Sequence, residues 1–167
     1  MTLRGRWSVT VSGYTVDMHE AAIRSDRVAG VALGGAVGDA LGAGYEFQDR
    51  PGPTIDMIGG GPFGVAPGEW TDDTAMANAI LRAAATGRLE TDVVGDGFLE
   101  WYAGRPKDVG IQTSAVLGRA SPGDAGGLTA IALDHFARNP RGSAGNGSLM
   151  RTGPVALAHL GDDAALA

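Results

Sequence analysis

The chain has 167 residues, one domain by size and long enough to bury a core. Lys and Arg number 13 against 19 Asp and Glu, a formal net charge of −6, which argues against a general nucleic-acid grip through a basic surface. There is no Cys, which excludes a disulfide scaffold, a thiolate nucleophile and a Cys-ligated metal. Gly 28 and Ala 27 dominate a chain with 6% aromatics, so its core must use small residues and close backbones.

Residues 1–17 differ from the rest of the chain. Trp7 to Ser12 alternates apolar and polar residues like a short strand, and Met18 is an alternative start. We therefore divide the chain into an extension, 1–17, either an ordered arm or an addition, and a helical domain, 18–167. No apolar run follows Arg4 and Arg6, so no signal peptide is expected and the expected location is the cytoplasm.

A long helical pattern runs from Met18 to about Tyr45. Gly30, Gly34, Gly38 and Gly42 recur every fourth residue, a smooth stripe for tight helix packing. The apolar run from Val28 to Tyr45 is interrupted by Asp39, which needs a partner if buried, so a buried helix is expected rather than a membrane span. Residues 49–70 form a Pro- and Gly-punctuated loop, long enough to suggest function. Within it Gly59, Gly61 and Gly64 match the dinucleotide fingerprint literally. No strand precedes them and Pro67 and Gly68 follow, so that reading is rejected. Helices are expected over about 71–86, 91–102, 111–120, 125–137 and 147–160. With no strand series, the fold class is all-α. The closing Gly-Asp-Asp-Ala-Ala-Leu-Ala reads as a helix just starting, so the chain looks cut rather than concluded.

Two stretches can carry chemistry. In Glu69-Trp70-Thr71-Asp72-Asp73-Thr74, Thr71 can be an N-cap with both Asp in the first helical turn, where the dipole favours negative charge. Adjacent carboxylates repel, however, and a hydroxyl with two carboxylates suits Mg²⁺ or Mn²⁺ better than zinc. In Gly142 to Arg151 a glycine-rich turn leads into a helix. Its backbone N–H groups can hold phosphate or sugar oxygens, or the segment is a plain loop with Ser148 as N-cap. His19, His135 and His159 share no motif.

Three stretches in order, Gly30 to Gly42 with Glu46 after it, Pro67 to Met76, and Gly145 to Arg151, together resemble the ADP-ribosylglycohydrolase family. A weaker fourth, Asp108-Val-Gly-Ile-Gln-Thr113, lies between the last two. The match covers about residues 27–160. The resemblance implies an all-α bundle that hydrolyses the bond between ADP-ribose and a modified side chain, with two divalent metals, Mg²⁺ or alternatively Mn²⁺, at the substrate ribose. It implies Thr71, Asp72 and Asp73 as metal ligands, and Glu46, Asp72 and Asp73 as catalytic residues. It also implies Gly110, Asn146, Gly147, Ser148 and Met150 as substrate contacts. The implied partner is an ADP-ribosylated protein or a small ADP-ribosyl compound, with neither nucleic acid nor membrane.

The chain departs from that family in one respect. Family members run to roughly twice this length, and their second half supplies an Asp-x-Asp-Thr/Ser motif completing the metal site. Asp162-Asp163-Ala164 does not match it. An alternative is therefore a non-catalytic ADP-ribose-binding or remnant domain. A half bundle should also expose apolar surface that self-association or a partner chain would cover.

Overall fold

The computed structural model describes residues 8–11, 14–48, 52–87 and 89–162. A short antiparallel hairpin, β1 (Ser8–Val11) and β2 (Tyr14–Asp17), precedes six α-helices. These are α1 (Met18–Gly42), α2 (Asp72–Ala85), α3 (Thr91–Ala103), α4 (Ile111–Leu117), α5 (Leu128–Arg138) and α6 (Thr152–Ala158). Short 3₁₀ turns at Ala43–Tyr45, Ala125–Gly127, Pro140–Gly142 and Asn146–Arg151 link them. The architecture is all-α, as the sequence implies. The strand expected over 7–12 is realised at Ser8–Val11, with Trp7 and Ser12 outside the described residues, as is everything after Asp162.

Helix α2 is the hub, touching α1, α3, α6 and the turn at Asn146–Arg151. Its Met76, Ile80 and Ala83 are buried at helical spacing, with Met76 among the largest fully buried side chains. A second cluster joins Leu99, Leu117 and Ala125, with Trp101 and Leu128 packed against it. Small residues permit these close contacts. A Cβ at Gly97 would lie 3.0 Å from the Ala79 side chain, and one at Gly95 would lie 3.0 Å from Ala125 and Leu128.

The glycine stripe of α1 behaves differently from expectation. A Cβ added at Gly30, Gly34, Gly38 or Gly42 meets nothing within 4 Å. The inward stripe is instead Ala32, Ala36, Ala40 and Ala43, rotated from the glycines and more shielded than they are. Leu33 and Val37 are exposed, at 66% and 53%. The segment Glu20–Tyr45 is long and apolar enough to cross a membrane by length and composition, and 17% of it is buried. The expected buried helix is therefore mostly uncovered by the described residues. Asp39 nevertheless ties it firmly to α2.

The long loop folds back on the end of α1. Gly60 and Val65 pair backbone to backbone at 2.7 and 3.0 Å, closing a tight turn with positive φ at Gly60, Gly61 and Gly64. A Cβ at Gly61 would come 2.8 Å from the Ala43 carbonyl, and one at Gly44 would come 2.6 Å from the Gly59 carbonyl. Bare backbone on both sides brings the loop against the turn that leads into Glu46.

Candidate active site

Asp39 organises the start of α2. Its Oδ2 accepts the backbone N–H of Thr71 at 2.9 Å and of Thr74 at 3.0 Å. The Thr71 hydroxyl donates to Oδ1 at 2.7 Å, and the Thr74 hydroxyl to Oδ2 at 2.6 Å. Thr74 is the third residue of α2, whose N–H an N-cap side chain ordinarily satisfies. Thr71 does occupy the N-cap position, but its side chain makes no cap bond. A carboxylate from α1 does that work instead, and its charge also suits the positive end of the helix dipole.

This capping aims Asp72 and Asp73 from the first turn of α2. Asp72 is buried, and its Oδ2 accepts the backbone N–H of Gly110 at 3.3 Å. Gly110 thus joins the loop before α4 to the acidic end of α2. Glu46, Asp73 and Asp108 line the same cleft as Asp72, a cavity of about 820 Å³. Its other walls include Gly110, Thr113, Gly145, Asn146, Gly147, Ser148, Met150 and Arg151. The expected catalytic pair of stretches therefore meets in space, although their sequence positions lie some 70 residues apart. Thr71 lines a smaller neighbouring pocket that shares Asp72 and Asp108 with the cleft.

The Gly142–Arg151 segment is a turn followed by a 3₁₀ helix, Asn146–Arg151, and Gly145 takes the cap position expected of Ser148. The glycines leave room against α4: a Cβ at Gly147 would meet the Thr113 hydroxyl at 3.6 Å, and one at Gly145 the Gln112 side-chain oxygen at 3.5 Å.

Crowded negative charge shapes the titration of this site. Burial, followed by the charges of Asp39, Asp72 and Glu46, pushes Asp73 up to about 6. Burial, then Asp72, Glu46, Asp73 and Asp39, pushes Asp108 up to about 7. Glu46 is raised by burial and by Asp72 and Asp39. Asp72 is raised by burial, with the Gly110 N–H opposing. Such displaced carboxylates in a cleft are a mark of functional sites.

Arg151 supplies a cation near Asp72. It is half-buried, and desolvation lowers its pKa while Asp72 opposes that shift. Its Nη1 donates to the Met76 sulfur at 3.1 Å, and its Cζ lies 4.9 Å from the centre of the Phe98 ring.

Two non-glycine residues have left-handed backbone, Phe47 (φ 59°) and Arg105 (φ 56°). One follows Glu46, and the other stands three residues before Asp108. Local strain thus accompanies both loops that present these acids.

Sequence reasoning did not select Asp39, Asp108 or Arg151 as site residues. Asp39 was legible only as a charge needing a partner. Asp108 heads the stretch that supplied Gly110, and Arg151 closes the glycine-rich motif.

The donors fit a hard divalent cation in kind: Asp72 and Asp73 are carboxylates held high in pKa by burial and mutual repulsion, a conflict that a cation relieves. They do not form a full set. Among the described residues, no three His, Cys, Asp or Glu side chains converge as a metal cluster.

A helical fold with an acid-lined cleft closed by a glycine-rich turn defines the class. The ADP-ribosylglycohydrolase family model matches residues 20–167, and the chain belongs to that family. It is 36% identical over 142 residues to the ADP-ribosylarginine hydrolase Tri1 of Pseudomonas putida (strain GB-1), covering 79% of this chain and 36% of that protein. It is 40% identical over 148 residues to the ADP-ribosyl-[dinitrogen reductase] glycohydrolase of Rhodospirillum rubrum, covering 84% and 47%. A solved structure, an ADP-ribosylglycohydrolase-related protein complex, superposes with a TM-score of 0.64 at 35% identity, covering 86% of this chain and 46% of that one. The chain thus spans less than half the length of these relatives.

Proposed function

We propose that this chain provides the ADP-ribose-binding and acidic part of a hydrolase that cleaves the glycosidic bond between ADP-ribose and a modified protein side chain. One observation carries the reading: Glu46, Asp72, Asp73 and Asp108 share a single cleft with the Gly145–Ser148 turn. Family membership supports it, as do relatives named for ADP-ribosylarginine and ADP-ribosylated dinitrogen reductase.

The residues suit the chemistry. Breaking a glycosidic bond develops oxocarbenium character on the sugar, which nearby carboxylates stabilise. Asp108, raised to about 7, can hold or release a proton near neutral pH. Glu46 orients water or assists proton transfer. The backbone N–H groups of Asn146, Gly147 and Ser148, with Met150 beside them, contact ADP-ribose, and Gly110 holds the substrate-side loop. Diphosphate recognition by backbone suits a chain with a single Lys. Thr71, Asp72 and Asp73 would hold Mg²⁺, or Mn²⁺, on one side of a two-metal site, with the Thr71 hydroxyl proton already directed to Asp39. When bound, that cation fixes sugar oxygens and neutralises the crowded carboxylates.

The test is release of ADP-ribose from an ADP-ribosylated arginine substrate, with Mg²⁺ and with chelator. Mg²⁺-dependent turnover, lost in Asp72→Ala, is the expected result. Turnover unchanged in that variant overturns the assignment.

A second reading is a non-catalytic ADP-ribose-binding domain, favoured by the incomplete ligand cluster among the described residues. Saturable ADP-ribose binding in calorimetry without hydrolysis selects it.

A further inference from the structure

Beside the large cleft lies a smaller pocket of about 260 Å³, between the loop at 65–71 and the loop at 105–108. The two cavities share two lining residues, Asp72 and Asp108. The large one falls within the range of about 300–1,000 Å³ usual for whole small-molecule ligands, whereas the small one falls below it. A ligand that crosses the Asp72–Asp108 boundary therefore has a large part on one side and a part the size of one side chain on the other.

The walls of the small pocket differ in character from the cleft. Two tryptophans line it. Trp101 is fixed by packing on the Leu99, Leu117 and Ala125 cluster, while Trp70 is 53% exposed. Asp72 and Asp108 supply negative charge at the boundary. Lys107 also lines the pocket, but its Nζ is 2.7 Å from the Glu69 carboxylate, which additionally accepts the Ala66 N–H at 2.6 Å. That pair closes one wall and offsets the lysine charge. Arg105 is exposed at the rim.

We propose that this pocket is the acceptor subsite, which receives the side chain bearing the ADP-ribose and favours a planar cation, the guanidinium group of arginine. The inference rests on the proposed de-ADP-ribosylation. Indole faces attract cations and stack well on planar guanidinium, and the boundary carboxylates complement its charge and its forked donors. A neutral hydroxyl side chain gains neither contact. A primary ammonium gains charge attraction but no planar stacking.

The experiment measures binding of L-arginine amide to the protein saturated with ADP-ribose, by calorimetry, and compares it with L-lysine amide. We expect saturable arginine amide binding, and lysine amide binding at least about five-fold weaker. Trp70→Ala weakens arginine amide about ten-fold, with the ADP-ribose Kd unchanged within about two-fold. Trp70→Phe, which keeps a π face, stays within about three-fold of the native chain. Should Trp70→Ala fail to fold, Trp70→Leu gives the same comparison with bulk retained and the π face lost. Equal arginine amide affinity in the native chain and the Ala or Leu variant overturns the subsite, as does lysine amide binding as tightly as arginine amide. Failure of the native chain to bind ADP-ribose overturns the proposed function instead, a result read separately in the same titrations.

Discussion

Asp39 Oδ2 lies 3.0 Å from the backbone N of Thr74, 35 residues away in the chain. Through this contact α1 ends the open N-terminus of α2 and sets where Asp72 and Asp73 stand. Removing the carboxylate orphans two backbone donors and two hydroxyls at a partly buried helix start. We expect Asp39→Ala to cost roughly 2–4 kcal/mol, from the sum of a lost cap and unsatisfied donors. Asp39→Asn keeps one acceptor and should cost less. Urea unfolding of both variants checks the order, and equal stabilities would mean that the cap is not what secures α2.

The raised carboxylates make the metal-free protein less stable as pH rises. Asp73 sits at about 6 and Asp108 at about 7, against an ordinary Asp value of 3.8. Between those values the folded chain holds protons that the unfolded chain has released. Their contribution is full below the unfolded value and is lost as pH rises through the folded values. In chelator, the thermal midpoint should fall from pH 5 to pH 8. Asp108→Asn should make the fall shallower, and a flat native profile would contradict the charge crowding.

Mg²⁺ should act most strongly where that instability is greatest. Cation binding needs deprotonated carboxylates, so its stabilisation should grow from pH 5 to pH 8. At a hundred times its dissociation constant, a cation bound only to the folded state adds about 2.7 kcal/mol. We expect Asp73→Asn to reduce this shift sharply. A Mg²⁺ shift as large at pH 5 as at pH 8 would point away from these carboxylates.

The loop contact with Ala43 gives a paired comparison. Gly61 and Gly64 both have positive φ, 63° and 61°. A Cβ at Gly61 would strike the Ala43 carbonyl at 2.8 Å, whereas one at Gly64 meets nothing within 4 Å. Gly64→Ala should cost about 1–2 kcal/mol from backbone strain alone. Gly61→Ala should cost more and weaken ADP-ribose binding by displacing the turn before Glu46. Thermal melts and calorimetry read both effects, and equal costs would mean that the close approach carries no weight.

Much of the helical framework was legible in the chain itself. Apolar spacing located α2 and α3 to within one residue at each end, because apolar residues such as Met76 and Ile80 recur at helical intervals and Gly and Pro punctuate the gaps. The site motifs were legible as local chemistry: two adjacent carboxylates at a helix start, and a glycine turn entering another helix. The role of the α1 glycines was not. Which face of a helix packs depends on its neighbours, and the alanines rather than the glycines turned inward.

By its sequence alone this protein is an all-helical, Cys-free, acidic chain whose ordered motifs place it in one family, since those properties depend on residue type and on spacing along a single helix or turn. Tertiary structure alone decided that Asp39 rather than Thr71 caps α2, that Asp108 joins Glu46, Asp72 and Asp73, and that a tryptophan-lined pocket adjoins the cleft. Each of these depends on groups far apart in the chain meeting across a few ångströms, where burial and charge repulsion first act between them.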